Sequence, residues 1–290
     1  MVTVKDYQSP VTPTWCPGCG NFGIHQAMKM ALAELGLEPH QVMLVSGIGQ
    51  SSKLPDYTHA NGYMTLHGRA IPCATGVKLV RPDLKVIVHS GDGDGYGEGM
   101  GHMVHAARRN IGIVHVAHNN QIYGLTKGQY SPTSAQGTRS STSPEGAIDR
   151  PVNPLLIALA AGATFVARAF SKNTRELADI IKAAVQHRGY ALIDVLQPCV
   201  TFNRVNTYEW YGERVYPVSQ EPDYNPSDLN WALRAAQIWG DRIPVGIFYQ
   251  TEAVPAYEEQ VPALKAGPVG LRPIRPLPAD KAQALKAAYM

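Results

Sequence analysis

The stretch "KVIVHSGDGDGYGEG" (residues 85–99) decides the fold of this chain. It opens with mostly apolar, β-branched residues, which predict a strand buried on both faces, and it continues into a glycine-rich loop. Two familiar phosphate-binding loops are excluded. Tyr96 or Glu98 stands where a G-x-G-x-x-G fingerprint needs its third glycine, and no G-K-S/T follows. There remains the triplet Gly91-Asp92-Gly93 at the carboxyl end of a strand, next to a helix N-terminus.

Similar apolar runs recur along the chain and alternate with helix-like segments. The pattern predicts further strands at 42–46, 111–118, 163–169 and 190–196, and helices at 21–36, 97–109, 153–161 and 173–187. Such alternation is typical of a mostly parallel sheet that is covered by helices. We therefore predict an α/β, doubly wound domain over residues 1–205.

The remaining segment, 206–290, has a different character. It is rich in proline and aromatic residues, as in "VNTYEWYGERVYPVSQEPDYNP" (205–226) and "AGPVGLRPIRPLPADK" (266–281). A solvated linker would not carry so many Tyr and Trp side chains. We predict an irregular C-terminal arm that lies across the domain or across a neighbouring subunit and takes part in contacts between subunits.

Composition narrows the class of protein. Of the 290 residues 44% are apolar, and the net charge of +3 is too small to predict nucleic acid or a membrane surface as a partner. No apolar run approaches the roughly 18 residues of a membrane span. The start, "MVTVKDYQSP", lacks the apolar stretch of a signal peptide, so we expect a cytoplasmic protein in which paired cysteines serve as metal ligands or redox groups rather than as a disulfide framework.

Asp92 predicts a metal ion. A carboxylate repels a phosphate group unless a cation lies between the two. A cation that is bound by oxygen ligands is most naturally Mg²⁺. The next predicted strand ends in Asn119-Asn120, 28 positions after Asp92 when counted to Asn120. One strand–helix–strand unit returns the chain to the same sheet edge, so both side chains should meet there. Taken singly, each feature could be an ordinary turn or capped loop, but the shared edge favours a site.

The spacing of GDG and NN resembles the diphosphate-binding domain of thiamine-diphosphate enzymes. Further blocks resemble the β subunit of 2-oxoacid:ferredoxin oxidoreductases of the 2-oxoglutarate and pyruvate type. They occur in the family's order: "WCPGCGNFGI" (15–24), "VSGIGQSSK" (45–53), "TLHGRAIPCATG" (65–76), "NNQIYGLTKGQYSPTS" (119–134) and "VGIFYQTEAVPAYEE" (245–259). The resemblance covers most of the chain.

The resemblance implies roles for individual residues. Asp92, Asn120 and the backbone carbonyl of Ile122 would bind Mg²⁺. The residues implied to line thiamine diphosphate are Ile48, Gly49, Gln50, Ser51, His67, Gly91, Gly93, Asp94, Gly124 and Leu125. The implied reaction is oxidative decarboxylation of a 2-oxoacid to acyl-CoA and CO₂, with electrons passed to ferredoxin. The family also needs a carboxylate that activates the aminopyrimidine of the cofactor, and no block of this sequence is a candidate for it. An α subunit is therefore expected to supply the pyrimidine-binding half of the site.

Lys127, in "YGLTKGQ", lies just past the predicted metal site. We predict that it pairs with the second carboxylate of a substrate, which would favour 2-oxoglutarate over pyruvate; the alternative is a solvated loop lysine. The histidines at 102, 105, 115 and 118 resemble a metal cluster only superficially, because zinc-type spacing is absent. We expect these histidines to pack in the core or to support the neighbouring site residues.

The stretch "TWCPGCG" (14–20) contains two cysteines three positions apart. A thioredoxin-like dithiol needs a strand before it, and the preceding "QSPVTPT" is broken by two prolines. The resemblance implies instead that Cys16, Cys19 and Cys199 bind a [4Fe–4S] cluster, which normally has four thiolates. Gln50 stands where the family has its fourth cysteine.

Three alternatives follow from Gln50. The cluster has three thiolates, with Gln50, water or another group at the fourth iron; it recruits Cys73; or it is absent. An absent cluster would favour a non-oxidative thiamine-dependent decarboxylase over the oxidoreductase. An inactive scaffold paralogue is the alternative outside enzymes, and the presence of Asp92, Asn120 and Lys127 argues against it.

Overall fold

In the computed structural model, residues 1–273 and 276–289 are described. The strands in these ranges are β1 Val42–Ser46, β2 Asn61–Met64, β3 Lys85–Gly91, β4 Ile113–Asn119, β5 Ile122–Tyr123, β6 Gln129–Tyr130, β7 Phe165–Phe170, β8 Ala191–Leu196, β9 Val215–Pro217 and β10 Ile243–Gln250. The helices are α1 Asn21–Glu34, α2 Ala70–Val80, α3 Met100–Arg109, α4 Pro154–Ala160, α5 Thr174–Gln186, α6 Tyr208–Gly212, α7 Leu229–Ala235, α8 Tyr257–Gln260 and α9 Ala279–Ala288.

Eight strands form one sheet in the order β2-β1-β3-β4-β8-β7-β10-β9. Every neighbouring pair is parallel except β10 and β7, which are antiparallel. Strands β5 and β6 form a separate antiparallel hairpin. The predicted doubly wound fold is confirmed, and the predicted strands correspond to β1, β3, β4, β7 and β8.

Alternate residues of the central strands enter two different cores. Ile87 and Leu44 pack with helices α1 and α5 on one face, whereas Val88 and Val45 pack with α2, α3, α4 and α7 on the other. Because both faces are covered, the central strands carry apolar side chains on both faces, as expected for a parallel sheet. Polar side chains can therefore lie together at the end of the sheet that is formed by the carboxyl ends of these strands.

The predicted C-terminal arm requires correction over its first half. Strands β9 and β10 join the main sheet, β10 beside β7, and Phe248 of β10 is fully buried. The prediction missed β10 because Pro244 and Gly246 interrupt its apolar run, and its register shifts between Ile247 and Tyr249. After β10 the described residues form only short helical segments and α9, none of which joins the sheet. The expected contacts of this part with other subunits stay a prediction.

No helix within residues 1–273 and 276–289 has both the length and the apolar character that crossing a bilayer requires.

Candidate functional site

A cleft lies at the carboxyl edge of the sheet, between the loop after β1, the end of β3 and the hairpin that follows β4. Each residue that the resemblance assigns to Mg²⁺ or thiamine diphosphate lines it: Ile48, Gly49, Gln50, Ser51, His67, Gly91, Asp92, Gly93, Asp94, Asn120, Ile122, Gly124 and Leu125. Tyr123 and Thr126 line it as well and were not predicted. Four separate stretches of sequence thus meet at one place.

Asp92 is buried at the end of β3, with 1% of its surface exposed. Its Oδ2 accepts hydrogen bonds from the hydroxyls of Ser131, at 2.5 Å, and Thr133, at 2.6 Å. Burial raises the pKa of Asp92 to about 6, although these hydrogen bonds act in the opposite direction. A buried carboxylate with one oxygen held by donors has its other oxygen left for a cation.

Asp94 serves a different purpose two residues later. Its Oδ1 accepts the backbone N–H groups of Gly68, at 2.7 Å, and Ile48, at 3.1 Å, and lies 2.9 Å from Nδ1 of His67. Burial raises its pKa, and the two backbone donors oppose that shift. Asp94 therefore joins the loop after β1 to the residues just before α2, and His67 lies beside it at the cleft.

The glycines of the loop are required by close packing. A Cβ on Gly93 would lie 2.2 Å from the Tyr123 ring, and one on Gly47 would lie 2.0 Å from Oδ2 of Asp94. After Asp92 the backbone forms a π-helical turn, Gly93–Glu98, before α3 begins. Gly93 begins this turn and lines the cleft, so no side chain covers the backbone there, as a diphosphate site needs.

The oxygen atoms in the cleft suit a hard cation. The carboxylate of Asp92, the amide oxygen of Asn120 and the carbonyl of Ile122 are of the type that Mg²⁺ prefers. Oδ1 of Asn120 also accepts the N–H of Ile122 at 3.0 Å, which orients the amide. Within the cleft Oδ2 of Asp94, Oε1 of Gln50 and Oγ of Ser51 are buried without a partner among the described residues. Such atoms fit a site that is completed by a polar ligand.

Lys127 does not line the cleft. It lies in the loop between β5 and β6, is exposed, and has a positive φ of 77°. The residues just before it, Gly124 to Thr126, do line the cleft, so the Lys127 side chain is attached at its rim. Its predicted role in substrate binding stays a prediction.

Cys16, Cys19 and Cys199 lie on two loops that contact each other. The backbone N–H of Gly20 donates to the carbonyl of Pro198, and the hydroxyl of Thr201 lies 3.2 Å from Sγ of Cys16. The pKa of Cys19 is raised to about 11, mainly by burial and to a smaller extent by the nearby Cys199 and Cys16, while the backbone N–H of Asn21 acts in the opposite direction. Residues 1–273 and 276–289 contain no group of three or more His, Cys, Asp or Glu side chains that could bind a single metal ion.

Gln50 lies between the cysteine loop and the cleft. The indole N–H of Trp15, next to Cys16, donates to the backbone carbonyl of Gln50 at 2.7 Å, and Gln50 lines the cleft. Cys73, in contrast, is in α2 and packs against the core on one face of the sheet, whereas Cys19 packs on the other. The structure therefore contradicts the recruitment of Cys73 as a cluster ligand.

The four histidines are not one cluster. His115 contacts the hydroxyls of Ser90 and Tyr190, and His118 contacts Asn21 and His89. His105 is exposed on α3, and His102 contacts Arg69. His115 and His118 pack in the core, whereas His102 and His105 lie at the surface, where packing was not a correct expectation.

Sequence reasoning missed Tyr123, Ser131 and Thr133. The hydroxyl of Tyr123 lies 3.2 Å from the Glu98 carboxylate and closes one side of the cleft. Ser131 and Thr133 follow the hairpin in "YSPTS", a short polar run after a conformationally irregular segment. This polar run was the sequence signal for Ser131 and Thr133, but their contact with Asp92 depends on how the hairpin folds back.

Two sequence models of protein families match the chain. The family described as thiamine pyrophosphate enzyme, C-terminal TPP binding domain, matches residues 47–195, which include the whole cleft. The family described as the C-terminal part of the pyruvate ferredoxin oxidoreductase beta subunit matches residues 199–266, which include Cys199, β9 and β10.

Individual proteins are similar over most of the chain. The 2-oxoacid:ferredoxin oxidoreductase subunit beta of a Sulfolobus species is 49% identical over 266 residues, which cover 88% of this chain and 87% of that protein. The 2-oxoglutarate oxidoreductase subunit KorB of Mycobacterium tuberculosis is 47% identical over 199 residues, 69% of this chain and 53% of that protein.

Among solved structures, one similar chain belongs to 2-oxoglutarate:ferredoxin oxidoreductase from Magnetococcus marinus with 2-oxoglutarate, coenzyme A and succinyl-CoA bound. It is 41% identical, has a TM-score of 0.88, and the match covers 99% of this chain and 96% of that chain.

Proposed function

Because this chain belongs to the β subunits of 2-oxoacid:ferredoxin oxidoreductases, we propose that it and an α subunit oxidatively decarboxylate 2-oxoglutarate to acyl-CoA and CO₂. One observation carries the proposal. The carboxylate, amide and carbonyl oxygens for Mg²⁺ and the glycine-rich backbone for a diphosphate converge on one cleft. The β-subunit family implies the α subunit, which is expected to supply the pyrimidine half of the site.

Asp92, Asn120 and the carbonyl of Ile122 would bind Mg²⁺, and the backbone around Gly49, Gly93 and Gly124 would approach the diphosphate. Thiamine diphosphate, when bound, supplies the carbon nucleophile and the electron sink of the reaction. The chain's own residues bind and orient. His67, whose Nδ1 lies 2.9 Å from Oδ1 of Asp94, can donate a hydrogen bond to a diphosphate oxygen, and Tyr123, whose hydroxyl donates to Glu98, lines the same cleft.

The substrate proposal rests on Lys127 at the rim of the cleft. A flexible ammonium group there can reach the distal carboxylate of a dicarboxylic 2-oxoacid, whereas 2-oxobutyrate offers it only a methyl group. Relatives named for 2-oxoglutarate support this choice.

Electron transfer is proposed to use a [4Fe–4S] cluster bound by Cys16, Cys19 and Cys199, next to the cleft. Gln50 is proposed to lie at the fourth iron, because Trp15, next to Cys16, fixes the backbone carbonyl of Gln50 beside the cysteine loop. Ferredoxin would accept the electrons, and coenzyme A would accept the acyl group. The coenzyme A in the Magnetococcus marinus complex supports the latter.

The test is anaerobic co-purification with the α subunit, followed by assays with 2-oxoglutarate, pyruvate and 2-oxobutyrate. We expect ferredoxin reduction that requires both coenzyme A and thiamine diphosphate, with 2-oxoglutarate preferred. The absence of 2-oxoacid-dependent ferredoxin reduction in a cofactor-loaded complex would contradict the proposal.

The cluster has its own measurement, iron quantification with electron paramagnetic resonance of the reduced complex. We expect about four irons per β chain, as a single [4Fe–4S] cluster requires. CO₂ release without iron or ferredoxin reduction would favour the non-oxidative decarboxylase, the second candidate that the cysteine-to-glutamine difference raises.

A further inference from the structure

Two hydroxyl groups converge on one oxygen of Asp92. Ser131 and Thr133 both lie within 2.6 Å of Oδ2, and both are buried. Hydrogen bonds to a carboxylate are stronger than neutral ones, and these contacts are as short as such bonds become. The carboxylate plane is therefore fixed by groups outside the cleft.

We infer that Ser131 and Thr133 are positioning residues that hold Asp92 for a divalent cation in the cleft. The inference rests on the proposed function, because it assumes that Asp92 is a Mg²⁺ ligand. With Oδ2 held by two donors, Oδ1 is the oxygen left for the metal. Groups that orient a metal ligand in this way commonly change metal affinity by about 10- to 100-fold when removed.

The two hydroxyls also connect the metal ligand to the hairpin β5–β6. Ser131 directly follows β6, and its backbone N–H donates to Oγ of Ser134 at 2.8 Å. The hydroxyl of Ser134 donates to the carbonyl of Gln121, just before β5, at 2.5 Å. The base of the hairpin is thus closed by the same turn that contacts Asp92. Metal binding at Asp92 should therefore restrain the hairpin that carries Gly124, Leu125 and Lys127.

A purely structural role would give a different result. Buried hydroxyls that only satisfy a buried carboxylate would stabilise the fold, and their loss would lower thermal stability without changing the metal requirement. Thr164 is a matched control. It is buried like Thr133, and its hydroxyl donates to Asn110 at 2.6 Å, outside the cleft.

The experiment uses the α–β complex, stripped of metal and cofactor. Binding of thiamine diphosphate is followed by the quenching of tryptophan fluorescence at graded Mg²⁺ concentrations. We expect Thr133→Val to raise the half-saturating Mg²⁺ concentration by about tenfold or more. Thr133→Ser, which keeps the hydroxyl, should restore it, and Thr164→Val should leave it near the wild-type value.

Hydrogen exchange of residues 122–130 provides a second readout. In the wild type, Mg²⁺ with thiamine diphosphate should slow exchange there, and Thr133→Val should weaken this metal-dependent protection. If Thr133→Val does not fold, Ser131→Ala removes the other hydroxyl and gives the same test.

The outcomes separate the two proposals. Mg²⁺-dependent binding that is the same in wild type and folded Thr133→Val, or equally weakened in Thr164→Val, would overturn this inference alone. Failure of the wild type to bind thiamine diphosphate with Mg²⁺ would overturn the proposed function, and this inference with it.

Discussion

Asp92 and Asp94 are two residues apart, yet their carboxylates make different contacts and have different roles. Oδ2 of Asp92 accepts two side-chain hydroxyls, and Asp92 is the proposed metal ligand, whereas Oδ1 of Asp94 accepts two backbone N–H groups and lies beside His67. A hydrogen bond to a backbone N–H fixes the loop that carries it, because the N–H group cannot move unless the main chain moves as well. Asp94 therefore shapes the cleft, whereas Asp92 is the residue proposed to bind the metal ion.

Lys127 yields a prediction about substrate choice. We expect Lys127→Ala to raise the KM for 2-oxoglutarate by roughly 10- to 100-fold, the equivalent of a charge-assisted hydrogen bond of about 1.5–3 kcal/mol. The KM for 2-oxobutyrate, which lacks the distal carboxylate, should change little. Steady-state assays with both substrates measure the difference. Lys172→Ala, at another exposed lysine, is the control, and equal changes for both substrates in Lys127→Ala would contradict the prediction.

The sequence could predict those site residues whose neighbours in space follow from the topology of the sheet. Asp92 and Asn120 lie at the ends of adjacent strands, so a parallel sheet must bring them together. Ser131 and Thr133 depend on a hairpin whose return path no periodicity encodes. For that reason their contact with Asp92 became visible only in the structure.

At the scale of elements, the turn between β3 and α3 depends on glycine. Gly93→Ala would place a Cβ 2.2 Å from the Tyr123 ring, so either the ring or the turn must move. Overpacking of this kind costs about 1–3 kcal/mol, and we expect affinity for thiamine diphosphate to fall by roughly 10- to 100-fold. Fluorescence titration of the α–β complex measures it.

The control for that change is Gly101→Ala in α3. A Cβ there has no neighbour within 4 Å, so binding should stay at the wild-type value. Unchanged affinity in Gly93→Ala would show that the contact with Tyr123 does not shape the cleft.

Elements were predictable where burial leaves a regular pattern. Strands β3, β4 and β8 are almost wholly buried, and their continuous apolar runs marked them. All residues of β2 are exposed, so its sequence "NGYM" carries no apolar pattern. In β10 a proline and a glycine with φ of 128° disguise a strand that tertiary pairing nevertheless stabilises.

For the whole molecule, the placement of β10 predicts where the chain can be shortened. A chain that ends at residue 205 would lose the partner of β7 and the buried Phe248, and we expect it not to fold. A chain that ends at residue 268 should keep its fold, because the described residues beyond that point bury no side chain. Soluble yield and circular dichroism distinguish the two. Folded protein from the 205-residue chain would contradict the prediction.

Buried histidines give the molecule a dependence on pH. Burial lowers the pKa of His118 to about 3 and that of His25 to about 4, so both are neutral in the folded state at pH 5.5. The unfolded chain binds protons at its histidines below a pKa of about 6.5. Between these values the unfolded state holds more protons, so the free energy of unfolding falls as the pH decreases. Each such histidine contributes up to about 1.4 kcal/mol per pH unit.

The contribution of His118 to this pH dependence can be measured separately. The buried carboxyls of Asp92 and Asp194, whose pKa values burial raises, shift stability in the opposite direction, so wild type must be compared with a variant. We expect the melting temperature of wild type to fall between pH 7.5 and 5.5 by a few degrees more than that of His118→Gln, which corresponds to about 1.4 kcal/mol. The exposed His40, replaced by Gln, is the control. Parallel pH curves for wild type and His118→Gln would mean that His118 is protonated within the fold, and its contacts with Asn21 and His89 would then need to be reassigned.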